Sequence, residues 1–356
     1  MRGTAQTIEC AGKILRVRAA VTASLAVILV AAPASPSSVP AANLQELWRS
    51  VGGFTPAQVS AVERGEPVAR VLHTDRREIA IMGVVRIRGR RERLIDRYRD
   101  ISYLKKSELV MQVGTFGRSP AAEDLALLAL EPYDLDAPRN CRPGRCAVRL
   151  SAEEMSRMRA AVRWEAADAR QQSAAAWREM LGTLARRYME HGDEKLPVFA
   201  NKDEPLGVSD ELAALYAQFG FLADLGPAFL RYVREFPRVK LPGAEDTLYW
   251  SKNDLGIRPV VGITHQVIYA PGDGPAFIAM KRIYAAHYVD GGLGVTMLTD
   301  GEPGFFYMTT LDRVRTRSLT GFTRAIVRSI VQDKSRNGVE KLLRSSQRGV
   351  EAASLP

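Results

Sequence analysis

The chain has 356 residues, of which 46% are hydrophobic and 25% are charged, and it carries a formal net charge of +10. This length can bury a sizeable core, in one elaborated domain or in two. The basic residues are scattered and do not form runs interleaved with aromatic side chains, so the sequence lacks the footprint of a nucleic-acid-binding protein. We therefore expect no nucleic acid among its partners.

The N-terminal residues have the layout of a secretory signal peptide. Residues 1–18 are net basic, residues 19–32 are uncharged and mostly apolar, and Ala32-Pro33-Ala34 offers the small residues that a signal peptidase reads. The alternative is an uncleaved membrane anchor, but the apolar run is shorter than the roughly 20 residues that a spanning helix needs. We predict a signal peptide over residues 1–34, a disordered tether over residues 35–43 and export to the periplasm or the cell exterior.

Residues 44–150 are predicted to form an N-terminal α+β part. Thr55 and Pro56 suit the N-cap and the first position of a helix that ends near Arg64. In Glu78–Ile87 apolar residues occupy both the odd-numbered and the even-numbered positions, which point to opposite faces of a strand. This pattern predicts a strand buried on both faces. The remaining predicted elements are helices over Leu44–Trp48 and Arg88–Arg99, and strands over Val68–Leu72, Glu108–Gly114, Leu125–Leu130 and Cys146–Leu150.

Cys141 and Cys146 remain in the chain after export, in the motif NCRPGRC. A pair that closes a short loop around Pro-Gly fits a disulfide in an oxidising compartment. The alternative is metal binding, but the sequence has no second cysteine pair and no histidine nearby. We predict a structural disulfide that stabilises the protein only modestly, because the loop is small.

Residues 151–240 are predicted to be a helical insertion. Ser151 followed by Glu154 is a capping box at its start, and the Ala-rich stretch Ala160–Ala176 can hold two closely packed helices. Two further helices are predicted over Ser209–Phe219 and Pro227–Glu235, with Ser209 as the cap of the first and Pro227 at the start of the second. One helical face is formed by Trp177, Leu181, Leu184 and Tyr188.

Residues 241–345 are predicted to form antiparallel strands followed by a long helix, with a frayed tail over residues 346–356. Three Gly-rich turns separate apolar and aromatic runs between Asp246 and Arg315, as in consecutive hairpins. These turns are Pro271–Gly274, Asp290–Gly292 and Asp300–Gly304.

The last predicted helix, Leu319–Leu343, has an apolar stripe and a basic face. Such a helix can lie on a membrane surface, but we favour a helix that packs on the sheet and exposes its basic face to solvent. An anionic membrane surface is retained as a second possible partner. The stripe consists of Phe322, Ile326, Val327, Ile330, Val339, Leu342 and Leu343.

This order of elements predicts an α+β fold in which a curved antiparallel sheet grips the long C-terminal helix. In Ile79–Ile95, Leu248–Leu311 and the helix after Leu319, the chain resembles the START/SRPBCC superfamily, whose helix-grip fold often leaves a hydrophobic cavity between sheet and helix. Ser151–Phe236 departs from that pattern, and no catalytic residue carries over. The chain is also similar to exported bacterial proteins of no known activity that share patterns such as CRPGRC, LYWSK, THQVIY and IYAAHY.

Two strand histidines are the candidates for chemistry. By strand parity, His265 shares a face with Ile263 and Val267, whereas Tyr284 and Asp290 are predicted on the face opposite to that of His287. Hairpin strands can bring such groups together, with His265 or His287 as base and Tyr284 as acid. The alternative for each histidine is a buried side chain that is hydrogen-bonded to a neighbour.

The strand block is also dense in tyrosines, which line pockets for amphipathic ligands as well as ordinary cores. We expect Lys281, Arg282 and the tyrosines to orient the polar head of a ligand. The candidate ligand-binding residues are Tyr249, Trp250, Tyr269, Lys281, Arg282, Tyr284, Tyr288 and Tyr307.

Three functions fit these observations. The first is an exported protein that binds a hydrophobic or amphipathic small molecule between the sheet and the C-terminal helix. The second is an enzyme that uses a His/Tyr pair in that cavity, and the third is an envelope-associated structural protein. No spacing of residues demands a metal, and the sequence lacks a P-loop, a GxSxG motif and an HExxH motif, so we predict no metal and no cofactor.

Overall fold

Helices and strands follow one another through residues 41–104, 109–254, 258–272, 274–317 and 324–352, the ranges that the computed structural model describes. The predicted signal peptide lies outside them. The strands are β1 (Val68–Val71), β2 (Glu78–Arg88), β3 (Val110–Thr115), β4 (Val198–Phe199), β5 (Leu206–Gly207), β6 (Ala244–Asp254), β7 (Pro259–Tyr269), β8 (Ala276–Ala285), β9 (Gly291–Asp300) and β10 (Phe305–Arg315).

The α-helices lie mainly before the strand block and after it. They are α1 (Ala41–Ser50), α2 (Pro56–Glu63), α3 (Arg91–Arg99), α4 (Ile101–Leu104), α5 (Pro132–Asp136), α6 (Ala152–Ala161), α7 (Ala169–His191), α8 (Val208–Tyr216), α9 (Leu222–Leu225), α10 (Pro227–Glu235) and α11 (Arg324–Ala352). Short 3-10 turns cover Ala122–Leu125, Ala137–Asn140, Gly192–Lys195 and Ala217–Phe219. None of these helices is both long and apolar enough to cross a membrane.

The described strands β1–β3 and β6–β10 form one open antiparallel sheet in the order β1-β2-β10-β9-β8-β7-β6-β3. The three predicted Gly-rich turns connect β7 to β8, β8 to β9 and β9 to β10. The α+β class and the consecutive hairpins are therefore confirmed.

Both faces of the sheet are buried, because apolar side chains alternate to either side along the central strands. On β2, Met82 and Val84 join the larger core, whereas Val85 and Ile87 join a separate cluster on the other face. The larger core is covered by α5 to α10 and their connections, which we call the helical layer, together with α1 and α2. The strand buried on both faces is thus confirmed.

The opposite face is covered by α3 and α11. Helix α11 packs on β2, β1 and α3, which confirms that the C-terminal helix packs on the sheet. It continues to Ala352, beyond the predicted end at Leu343, because Val350 is buried against the sheet cluster. Residues 346–352 are therefore helical and not a frayed tail, whereas Ile330, in the predicted apolar stripe, is 51% exposed.

Two predicted strands are absent. Leu125–Leu130 instead begins in a 3-10 turn, and the side chain of Gln112 satisfies its backbone by bonding to Leu127 O and Ala129 N. Cys146–Leu150 has no partner strand, because Cys146 N and Arg149 N donate to separate carbonyl groups. The predicted disulfide between Cys141 and Cys146 is present.

Several helix ends follow the local signals. The capping boxes at Thr55 and Ser151 are formed. The Ala-rich stretch Ala160–Ala176 does not hold two helices, because α6 ends at Ala161 and α7 begins at Ala169, so the stretch contains the end of one helix and the start of the next. The prediction of Ser209 as a cap is wrong, because α8 begins one residue earlier with Gly207 at its N-cap and the Ser209 hydroxyl donates to Asp193 O. The predicted tether also ends earlier than expected, since α1 begins at Ala41.

Helix α11 packs closely on Gly83 of β2. A Cβ at this residue would lie 2.5 Å from Val339 Cγ1 and 3.0 Å from Leu343 Cδ1. We expect Gly83→Val to push α11 outward and to lower the free energy of unfolding by about 1–3 kcal/mol in urea titrations.

Gly338 provides the matched control on α11 itself, because no atom lies within 4 Å of a Cβ built there. We expect Gly338→Ala to raise the free energy of unfolding by about 0.5–1 kcal/mol through helix propensity. Equal effects of the two substitutions would contradict this close packing of α11.

Candidate functional site

Polar side chains enter the larger core at the centre of the sheet. His265 on β7 lies directly between Leu248 on β6 and Lys281 on β8. Asp246 lies two residues before Leu248 and therefore faces the same side of the sheet. Tyr188 reaches this group from α7, so the helical layer meets the sheet through polar as well as apolar contacts.

His265 is fully buried, and both of its ring nitrogens are hydrogen-bonded. Burial lowers the pKa of His265, so the ring is neutral near pH 7. In this form Nε2–H donates to Asp246 Oδ1 at 2.8 Å, and Nδ1 accepts from Tyr188 OH at 2.7 Å. The ring of Phe236 covers it, with 4.4 Å between ring centroids.

Asp246 is the outer member of this chain of hydrogen bonds. Its second oxygen accepts from Tyr232 OH at 2.6 Å. Burial acts to raise the pKa of Asp246, but the hydrogen bonds from His265 and Tyr232 outweigh it and hold that pKa below the usual value. The carboxylate therefore stays ionised and fixes both the tautomer and the orientation of the imidazole ring.

Lys281, opposite His265, is also fully buried. Its Nζ donates to Asp193 Oδ1 and to Val233 O, both at 2.9 Å, and lies 5.1 Å from the ring centre of Tyr188. Burial lowers the pKa of Lys281, and the charge of Asp193 opposes that shift. The ammonium group is thus neutralised by an ion pair that joins the sheet to the helical layer.

Asp193 reaches Lys281 because α7 ends directly before it. Gly192 has a φ of 63° and lies so close to the Phe236 backbone that a Cβ there would collide with it. The chain can therefore turn sharply and aim Asp193 at the sheet. Asp193 Oδ2 accepts from Tyr216 OH at 2.5 Å, and burial together with the Asp193 charge raises the pKa of Tyr216 well above its usual value.

A cavity of about 380 Å³ opens above this ion pair, between α8 and α10. We call it the α8–α10 cavity. Asp193, Ser209 and Tyr216 supply polar groups to its wall, and Ala213, Ala217 and Leu230 supply apolar surface, with Arg234 also lining it. Ionisable groups with shifted pKa values beside a cavity are a common mark of a functional site.

The second strand histidine lies in a different place. His287 follows the end of β8 and is 7% exposed, and its Nε2 lies 2.7 Å from Asp134 Oδ1 on α5. The ring of Tyr133 is 6.2 Å away, centroid to centroid. His265 and His287 are therefore separate sites, each with its own carboxylate, and neither lines the α8–α10 cavity.

The other two catalytic candidates contact neither histidine through their polar groups. Tyr284 OH donates to Arg149 O at 3.2 Å. Asp290 forms an ion pair with Arg149 and accepts from Arg317 N, and burial raises its pKa above the usual value. The predicted acid–base group of histidine, tyrosine and Asp290 is thus not assembled by hydrogen bonds, and catalysis by these residues stays a prediction.

A β-bulge accounts for the position of Tyr284. Ile263 pairs with Tyr284, but the next residue of β7, Thr264, pairs with Arg282, so Ile283 is an extra residue on β8. The bulge reverses the parity of the strand after it. Tyr284 therefore joins the larger core together with Phe277, whereas strict alternation predicts opposite faces.

The remaining ligand-binding candidates are dispersed over the sheet, and only Lys281 approaches the α8–α10 cavity, through Asp193. Tyr288 has a left-handed φ of 59° in the turn after β8. The contacts of the others are Tyr249 OH with Met280 Sδ, Trp250 Nε1 with Asp124 O, Tyr269 with Phe229, Arg282 with Asp312, and Tyr307 OH with Glu63.

Sequence reasoning missed Asp193 and Tyr216, which complete the site. The signal for Asp193 was the Gly-Asp pair at the end of a long helical pattern, but a helix end does not indicate which strand it faces. No family model, curated protein or solved structure matches this chain. The START/SRPBCC resemblance therefore stays a prediction, and the function has to be inferred from the geometry of the site.

His265 should make stability depend on pH. Below about pH 6.5 the unfolded chain binds a proton at this residue, whereas burial keeps the folded ring neutral, so stability falls as the pH decreases towards the lowered pKa. We expect urea titrations between about pH 7.5 and about pH 5.5 to show a smaller loss for His265→Gln than for the wild type. The control is His191→Gln at an exposed residue, and an unchanged slope in His265→Gln would contradict the assignment.

The Lys281–Asp193 pair can be tested by a double-mutant cycle. Lys281→Met leaves a largely buried carboxylate without its counter-ion, and we expect a loss of about 3–5 kcal/mol in the free energy of unfolding. The double variant Lys281→Met/Asp193→Asn should be more stable than the sum of the single effects predicts. Additive effects would show that the two side chains do not depend on each other.

Proposed function

We propose that this is an exported protein that binds a small amphipathic molecule in the α8–α10 cavity. The observation that carries the proposal is Asp193, which lines the cavity and whose carboxylate is paired with the fully buried Lys281. The volume of about 380 Å³ suits a small ligand.

The chemistry of the cavity wall favours a ligand with a hydrogen-bond-donating head. Each oxygen of Asp193 accepts one hydrogen bond from the protein, and a carboxylate oxygen can accept a second one. A ligand hydroxyl or N–H can therefore bind Asp193 without breaking its bonds to Lys281 and Tyr216. Ala213, Ala217 and Leu230 provide apolar contact for the rest of the molecule.

The proposal moves the ligand away from the space beneath α11, where the helix-grip resemblance would place it. Val339 and Leu343 lie against Gly83 on that face, so helix and sheet are in close contact there. The α8–α10 cavity lies on the opposite face, in the helical layer. The ligand belongs to the class expected from the sequence, but it binds in the helical layer and not beneath α11.

Export is part of the proposal, and the disulfide supports it. A disulfide between Cys141 and Cys146 persists best in an oxidising compartment such as the periplasm. An envelope role for α11 has less support, since Leu343 and Val350 of this helix are buried against the sheet.

The test is native mass spectrometry of the mature protein from its own host, followed by fluorescence titration with N-phenyl-1-naphthylamine. This probe has an apolar body and a single N–H donor. We expect a bound mass that is lost on denaturation, or saturable fluorescence enhancement by the delipidated protein. We expect Ala213→Phe to weaken probe binding about tenfold, because its ring would fill the α8–α10 cavity.

Ala160→Phe is the matched control, because Ala160 is likewise an exposed helical alanine but lies on α6, away from the cavity. It should leave probe binding unchanged. The proposal fails if the protein has no bound mass and does not bind the probe, or if Ala213→Phe binds it as tightly as the wild type.

A further inference from the structure

A second cavity, of about 510 Å³, lies beside the disulfide. We call it the disulfide cavity. Its wall includes both cysteines, Arg145 from the loop between them, and Asn201. It shares no lining residue with the α8–α10 cavity, so a ligand here is independent of the proposed function.

Backbone hydrogen bonds fix the position of Asn201 in this wall. Gly144 N donates to Ala200 O at 2.8 Å, and Cys146 N donates to Asn201 O at 3.2 Å. Gly144 has a φ of 82°, which lets the loop turn back on itself. The disulfide loop and the segment that carries Asn201 therefore form one unit.

The side-chain oxygen of Asn201 has no hydrogen-bond partner in the described part of the chain. Asn201 is 8% exposed, and its Oδ1 is buried without a hydrogen-bond partner. A buried amide oxygen that lacks a partner costs free energy. A ligand group that donates to this amide would recover that cost.

The charges around the disulfide cavity favour an anion. Arg145 and Lys202 line it, and among the described residues neither forms an ion pair. Asp136 also lines it, but Arg170 neutralises this carboxylate through two hydrogen bonds of 2.9 and 2.7 Å. Free cationic groups therefore lie beside an amide that can both donate and accept.

We propose that the disulfide cavity binds a small hydroxylated organic anion of the acidic-sugar type. Its carboxylate pairs with Arg145 and Lys202, and its hydroxyl groups bond to the Asn201 amide. The disulfide holds Arg145 in place next to Asn201, so the site depends on the oxidised form.

The experiment uses the mature, oxidised protein and saturation-transfer difference NMR, with D-glucuronate, D-glucose and acetate as probes. D-glucose lacks the carboxylate and acetate lacks the hydroxyl groups, so glucuronate should bind at least about tenfold more tightly than either. Equal binding of acetate would mean that only a charge is recognised, and absence of glucuronate binding would overturn the proposal.

Two pairs of variants separate the site from the fold. Asn201→Ala should weaken glucuronate binding about tenfold and leave the free energy of unfolding unchanged or higher, because Asn201 Oδ1 has no hydrogen bond to lose. Arg145→Ala should weaken binding several-fold, whereas Arg142→Ala should not, since Arg142 lies in the same loop but outside the wall. Loss of stability in Asn201→Ala, or equal effects of the two arginine variants, would refute the site.

Discussion

An ammonium group with no exposed surface must be neutralised where it lies, and Lys281 imposes this requirement at the centre of the sheet. Among the residues that the structure describes, the carboxylate that meets its Nζ is that of Asp193, which belongs to the turn after α7. The end of α7 is therefore held at a fixed distance from β8. Hydrophobic contact alone is non-directional and would allow the helical layer to slide over the sheet.

The neighbouring chain of hydrogen bonds acts in the same way. Asp246 orients His265, and His265 accepts from Tyr188 of α7. With two polar anchors from sheet to helix, the wall of the α8–α10 cavity that Asp193 and Tyr216 form is held in place. Such preorganisation lowers the ordering cost of binding. The same burial that makes these anchors rigid lowers the pKa values of His265 and Lys281.

Local signals in the sequence were sufficient for much of the fold. The Gly-rich turns correctly predicted the hairpins, and the capping boxes at Thr55 and Ser151 correctly predicted where two helices begin. Each of these signals acts within a few residues. The site depends on distant partners, since Lys281 and Asp193 are separated by 88 positions. The bulge at Ile283 shows a second limit of sequence analysis. One extra residue reverses the face of the sheet on which the following side chains lie, and the sequence pattern does not reveal that a residue is extra.

The two faces of the sheet therefore have different roles. On the side of α11, Gly83 in β2 allows the helix to approach the sheet closely. On the other side, the long helix α7 is accompanied by several short helices and 3-10 turns, and these short elements leave gaps between them. Both cavities described above lie in this helical layer. One face of the sheet is covered closely by α11, and on the other face a buried ion pair fixes the helical layer in position. Such a sheet is a rigid support on which loops and short helices can form binding sites without loss of stability.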